Sequence, residues 1–186
     1  MELEPPIYDG QVHAAYAGPR DDVTALVPPT ATRVLDVGCS VGALGAALER
    51  RGHAVTGIEA NPEMAATARA SLSHLIEADV EELARRDEAI GDAFDCVVFA
   101  DVLEHLRDPW AVTRWAARHL TPRGSLVISV PNIRHASLVT SVLGRRRWLY
   151  EDVGIFDRTH LRWFAYKNLP QLLEGTGLAI TELTRT

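Results

Sequence analysis

The chain has 186 residues, 47% hydrophobic and 24% charged, with a formal net charge of −6. That length fits one domain with room for a sizeable apolar core, and no segment approaches the roughly 18 uninterrupted apolar residues of a membrane span. The N-terminus, Met-Glu-Leu-Glu-Pro-Pro, is too acidic for a secretory signal. The only two cysteines, Cys39 and Cys96, sit in or beside apolar runs. They argue against a disulfide framework and for a reducing, cytoplasmic setting. Residues 134–162 hold six arginines against Glu151, Asp152 and Asp157, a local balance of +3 that leaves −9 on the remainder. So acidic a body repels polyanions, which disfavours generic nucleic-acid binding, whereas the basic stretch suits a small anionic acceptor.

In chain order, strand and helix signals alternate. Residues 20–27 read as a short helix after Pro19, stopped by Pro28-Pro29. A first strand, Arg33–Val37, breaks into a glycine turn and a helix over about 42–51, with Gly52 as its C-cap. The second strand is Ala54–Glu59. The next helix starts after Asn61 with Pro62 at its first position, where proline is favoured. A third strand near Leu75–Ala78 precedes a short acidic helix near 80–86. The fourth, Phe94–Ala100, is almost continuously apolar, as a parallel strand covered on both faces must be. A helix from Pro109 to about Leu120 turns at Pro122-Arg123-Gly124 into a fifth strand, Ser125–Val130. Beyond it the pattern gives a helix over about 134–143, an irregular basic stretch, a helix near 167–175 and a last strand near Leu178–Thr184. This alternation predicts an α/β chain folded as a single domain: a Rossmann-like, doubly wound, mostly parallel sheet with helices on both faces. Ligands of such sheets bind beyond the carboxyl ends of the strands.

Polar residues collect at those ends. After the first strand come Asp36, Gly38, Cys39, Ser40 and Gly42; after the second, Glu59 and Ala60, the acid lying 21 residues past Gly38. A βαβ unit delivers a carboxylate to a ribose diol at that distance, which predicts an adenosine-containing ligand. A dinucleotide pyrophosphate needs a glycine at position 40, where this chain has Ser40, so a ligand without phosphate fits better and an NAD-type oxidoreductase is disfavoured. Asp36 can then answer a positive group such as an amino-acid ammonium. Asp79, after the third strand, can accept an adenine amino group while the Val80 amide faces a ring nitrogen; Asp79 also reads as the N-cap of the following helix, and the two roles are compatible. Ala100 and Asp101 close the fourth strand.

The blocks D-V-G-C-S-V-G, G-I-E-A-N, A-D-V-E-E-L and F-D-C-V-V-F-A-D-V-L-E-H-L-R-D-P occur in the order and spacing of class I S-adenosylmethionine-dependent methyltransferases. Over roughly residues 30–185 the chain resembles that family. With P-R-G-S-L-V-I-S-V-P-N-I-R-H and F-D-R-T-H-L-R-W-F it is similar to a branch near ubiquinone-biosynthetic and sugar or natural-product O-methyltransferases. The resemblance implies S-adenosylmethionine as methyl donor and S-adenosylhomocysteine as product, with Asp36 near the methionine ammonium, Glu59 on the ribose and Asp79 at the adenine. It also implies a sheet of six to seven strands closed by a hairpin, although only one candidate strand follows the fifth.

Asp101, Glu104 and His105 lie at i, i+3 and i+4, so one helical turn could turn all three into the pocket, and Thr159-His160 supplies a second imidazole. Some RNA 2′-O- and quinone O-methyltransferases hold a divalent metal with a comparable set. The favoured reading leaves the metal out, with Glu104 and His105 opening a helix beside the methionine end. A hydroxyl acceptor must lose its proton during in-line attack, and His160, with His105 beside it, is the expected catalytic group. Arg134, Arg158 and Arg162 are expected to contact the substrate within a basic cap over about 133–165. Arg145–Arg147 read as a solvated face, and Trp148, Tyr150, Trp163 and Phe164 as aromatics packing the cap onto the sheet. His135 is a weaker candidate, and His13, His53, His74 and His119 read as structural or solvated. The expected activity is O-methylation of a sugar, glycan intermediate or small natural-product hydroxyl, by a monomer or homodimer. An N-methyltransferase and a non-catalytic cofactor-binding member of the fold are the alternatives.

Overall fold

The computed structural model describes Gly18 and Arg20–Thr184. His13, Pro19 and the first six residues lie outside the described residues. A short helix, α1 (Asp21–Thr24), leads into β1 (Arg33–Val37), α2 (Ala43–Arg50), β2 (Ala54–Glu59), α3 (Pro62–Ala68), β3 (His74–Glu77) and α4 (Val80–Arg86). Then come β4 (Phe94–Ala100), a 3-10 turn (Leu103–His105), α5 (Pro109–Arg118) and β5 (Leu120–Ser129). The strands form one sheet in the order β3-β2-β1-β4-β5, and every pairing is parallel.

Strand periodicity sorts the core into two layers, one on each face. Val34, Val55, Cys96 and Val98 pack with Leu44, Leu48, Ala68 and Leu72 from α2, α3 and the turn after it. Leu35, Ile58, Val97 and Phe99 pack on the other face with Leu83, Val112 and Trp115 from α4 and α5. Both cysteines are buried free thiols. The helix starts follow local chemistry: Asn61 accepts from the amides of Glu63 and Met64 at 2.9 and 3.2 Å with Pro62 behind it, and Asp108 accepts from Ala111 at 2.9 Å ahead of Pro109.

Three expectations need correction. The Pro122-Arg123-Gly124 turn is absorbed into β5 as an irregularity, with Phe94 facing Leu120 and Cys96 facing Ser125. The helix expected over 134–143 is α6 (Ala136–Val139) continued by a π-helical turn (Thr140–Gly144), and the helix near 167–175 shrinks to a 3-10 turn (Tyr166–Asn168) and α7 (Leu169–Leu172). Finally, among the described residues the sheet has five strands rather than six or seven. Leu178–Thr184 makes no ladder among the described residues, and its amide at Leu178 bonds the Thr176 hydroxyl at 3.1 Å. Among the described residues β5 therefore stands at the sheet edge.

Candidate active site

The carboxyl ends of β1, β2 and β4 line up because Asp36 pairs in register with Gly57 and Val98. From there the chain leaves β1 through three left-handed residues, Gly38 (φ 69°), Ser40 (φ 52°) and Gly42 (φ 82°). Gly38 and Cys39 donate to the Ile58 carbonyl at 2.8 and 3.0 Å, which presses the turn against β2. A Cβ on Gly38 would stand 2.7 Å from Val102 Cγ2, so no side chain fits there. Asp36 is 1% exposed and its Oδ2 has no partner. Burial, and secondarily the nearby Glu59 charge, push its carboxyl up to about 7. Asp36, Gly38, Cys39, Ser40, Ala100 and Asp101 share the wall of one small crevice.

Glu59 caps that turn. Its Oε2 accepts from the Ser40 amide and its Oε1 from the Asn61 amide, both at 2.8 Å. Each oxygen keeps a second lone-pair direction for a diol hydroxyl. Ala60 follows it at the start of the turn into α3. Asp79 is exposed and caps α4, accepting from Glu81 at 2.8 Å, while Val80 is buried behind it. A buried orphaned oxygen on Asp36, at the wall of the crevice beside the glycine turn, fits the cationic end of an amino-acid nucleoside, with Glu59 and Asp79 further along the same strand ends.

Beyond β4 the chain separates the acids that the i, i+3, i+4 spacing had grouped. Asp101 takes a left-handed conformation (φ 55°) instead of a helical one. Its carboxylate is bound by the Arg20 guanidinium and by the Ser129 hydroxyl, the latter at 2.8 Å. It is therefore tied to β5 and stands outside the Glu104–His105–His160 group. Arg20, unforeseen from the sequence, reaches across to bond Ser129 Oγ at 3.0 Å as well. It also pairs locally with Asp22, but its site partners are 81 and 109 residues away, which no local pattern marks.

Glu104, His105 and His160 do converge, each offering a ligand atom within 4.8 Å of the others. Glu104 is 1% exposed with both carboxylate oxygens unpartnered, and burial pushes it up to about 8. His160 Nε2 lies 3.9 Å from Glu104 Oε1, and the two imidazole rings meet edge-on at 4.8 Å. Burial lowers both imidazoles below their ordinary value, with the His160 charge a further cause at His105. The segment after the basic stretch is clamped onto this turn: the amides of Leu161 and Arg162 donate to the Glu104 carbonyl at 2.7 and 2.9 Å. Thr159 Oγ1 lies 2.6 Å from Asp157 Oδ1 and 2.9 Å from His105 Nδ1. Its single proton goes to the carboxylate, so His105 Nδ1 must donate to it, leaving Nε2 with a free lone pair. Two neutral imidazoles and a buried carboxylate with orphaned oxygens fit a divalent ion such as Zn, Mn or Fe.

The cluster opens on a cavity of about 950 Å³ along β5, with Arg20, Asp101 and Arg134 on the same wall. Of the three arginines expected to meet the substrate, only Arg134 lines it. Arg158 is exposed and paired with Asp152, and Arg162 is turned onto the backbone carbonyls of Arg107 and Leu161. His53 bonds the Ala31 carbonyl at 2.6 Å and His119 that of Trp115 at 2.9 Å, both structural. His135 caps α6.

Comparison with known proteins places this geometry in a family. The family model described as "Methyltransferase domain" matches residues 8–183. A ubiquinone biosynthesis O-methyltransferase from Xanthomonas campestris pv. campestris is 37% identical over 139 residues, covering 72% of this chain and 57% of that one. The chain thus spans little more than half the length of that relative. Among solved structures, a SAM-dependent methyltransferase from Archaeoglobus fulgidus superposes with a TM-score of 0.62 at 20% identity, over 80% of this chain and 62% of that one. A SAM-bound amino pentose methyltransferase from Micromonospora echinaspora, involved in calicheamicin biosynthesis, is 29% identical with a TM-score of 0.51, over 70% and 58%. The family match over nearly the whole chain, on a sheet whose strand ends carry the glycine turn and its acids, shows that this chain belongs to the methyltransferase-domain family.

Proposed function

We propose that this chain transfers the methyl group of S-adenosylmethionine to a hydroxyl oxygen of a small acceptor: a sugar, a glycan intermediate or a natural-product ring. The observation that carries this reading is the Glu104–His105–His160 cluster on the wall of the large cavity, beside the crevice of Asp36 and the glycine turn. The ubiquinone biosynthesis O-methyltransferase supports oxygen as the accepting atom, and the amino pentose methyltransferase supports a sugar-like acceptor.

Asp36, Glu59 and Asp79 hold the donor by its ammonium, ribose and adenine. Bound there, the donor supplies an electrophilic methyl on a sulfonium, and displacement needs the acceptor oxygen about 3 Å from it and in line. The chain supplies position and a proton acceptor. His160 is held neutral by burial, so its lone pair is available at neutral pH to take the hydroxyl proton. The His105 tautomer fixed by Thr159 and Asp157 presents a second free ring nitrogen beside it. Arg134 lines the cavity where an acceptor carboxylate or phosphate would be met.

A second reading follows from the orphaned oxygens of Glu104: the same three side chains would hold a divalent ion, whose chemistry is to lower the pKa of the acceptor hydroxyl. Turnover of a panel of hydroxyl and amine acceptors by wild type and His160→Ala tests the proposal. The expected result is turnover of hydroxyl acceptors lowered about 10²- to 10⁴-fold in the variant with donor binding unchanged. Undiminished turnover, or turnover confined to amines, removes the base assignment and favours N-methylation.

A further inference from the structure

Residues 143–150, Leu-Gly-Arg-Arg-Arg-Trp-Leu-Tyr, take no part in the site described above, and their surface chemistry is unlike the rest of the molecule. The helical turn Thr140–Gly144 buries Ser141 but points Leu143 outward at 76% exposure, and Tyr150 is 72% exposed. Trp148, Leu149 and Trp163 are also exposed. The Trp148 ring meets Phe156 at 5.7 Å and Trp163 at 5.9 Å, both edge-on, so the exposed indoles are braced in a fixed surface cluster. Between them stand Arg145, Arg146 and Arg147, all exposed. Among the described residues no carboxylate pairs with any of the three, whereas neighbouring Arg158 is paired with Asp152.

We propose that this face docks on the surface of an anionic lipid bilayer, the arginines meeting headgroups while Leu143, Trp148, Leu149 and Tyr150 enter the headgroup–acyl boundary. Cations interleaved with tryptophan, tyrosine and leucine on one exposed surface are the composition that partitions into that boundary. A soluble polyanion would use the three charges and leave the apolar side chains in water. Charge complementarity also fixes the orientation, because residues 134–162 carry +3 and the rest of the chain −9, so an anionic surface attracts this face and repels the others. The docked segment runs on into the one carrying His160, and Arg134 and Phe164 of the same cap line the large cavity, so docking brings the cavity close to the bilayer.

The test is co-sedimentation of the full chain with vesicles of phosphatidylcholine alone or of phosphatidylcholine and phosphatidylglycerol in equal parts. Intrinsic tryptophan emission is read in the same samples. The expected result is binding to the mixed vesicles only, with a blue shift of the emission. Partition should fall roughly 100-fold in Arg145→Gln/Arg146→Gln/Arg147→Gln and about tenfold or more in Leu143→Ser/Tyr150→Ser. Circular dichroism and the melting temperature show that each variant folds, and the blue shift needs no variant at all. Wild type showing no preference for the anionic vesicles overturns the proposal. So does a wild-type partition in Leu143→Ser/Tyr150→Ser alongside equal binding to heparin, which would make the face a reader of soluble polyanions.

Discussion

Glu104→Gln isolates a buried acid that has no hydrogen-bond partner. The carboxyl is 1% exposed, neither oxygen has a partner, and burial raises it from 4.5 to about 8. The folded value lies above the unfolded one, so its contribution to stability is complete below about pH 4.5 and is lost as pH rises through about 8. Each unit of difference is about 1.4 kcal/mol, so the whole window is worth several kcal/mol, a large share of the roughly 5–15 kcal/mol that stabilises a domain. Asp36, raised from 3.8 to about 7, adds a slope of the same sign, but it is already half titrated at pH 7 and contributes only about 0.3 kcal/mol from there to pH 8. The interval from pH 7 to 8 therefore belongs mainly to Glu104. Urea unfolding in chelator-containing buffer should show wild type losing about 1.3 kcal/mol across that interval, while Glu104→Gln loses only the Asp36 share of about 0.3 kcal/mol. Parallel curves for the two proteins would refute the account of Glu104 as a buried, uncompensated acid.

Other perturbations follow from the same geometry. Gly38→Ala sets a Cβ 2.7 Å from Val102 Cγ2 at a φ of 69°; thermal unfolding should record a loss of about 1–3 kcal/mol. Glu59→Ala should weaken S-adenosylhomocysteine about 10- to 100-fold in a calorimetric titration, the worth of hydrogen bonds to a charged group. If the cluster takes up a metal, Zn or Mn should raise the melting temperature of wild type and leave that of Glu104→Gln/His105→Ala unmoved. Since burial depresses His160, the acid limb of the pH–rate profile should lie below 6.5, the ordinary imidazole value; a limb above it contradicts the neutral-base assignment.

The parts that the sequence made legible are those governed by neighbours in the chain. The strands β1, β2 and β4 follow from short, mostly apolar runs bounded by turn residues, and α3 and α5 start at Asn61-Pro62 and Asp108-Pro109. Glu59 was legible because a βαβ unit has a fixed length. What could not be read depends on closure of distant segments. Arg20 finds Asp101 only when α1 settles against β5, and Thr159 fixes the His105 tautomer only when the cap folds back over the 3-10 turn. The left-handed backbone at Asp101 broke the helical spacing that had grouped it with Glu104. Arg158 and Arg162 were placed by proximity to His160 in sequence, yet their long side chains reach Asp152 and backbone carbonyls instead.

The most direct measurement is a calorimetric titration of the purified chain with S-adenosylhomocysteine and, separately, NADH. Saturable one-to-one binding of the former and none of the latter is the predicted outcome. Heat from NADH alone, or silence from both, would mean that Asp36, Glu59 and the glycine turn are not a donor site.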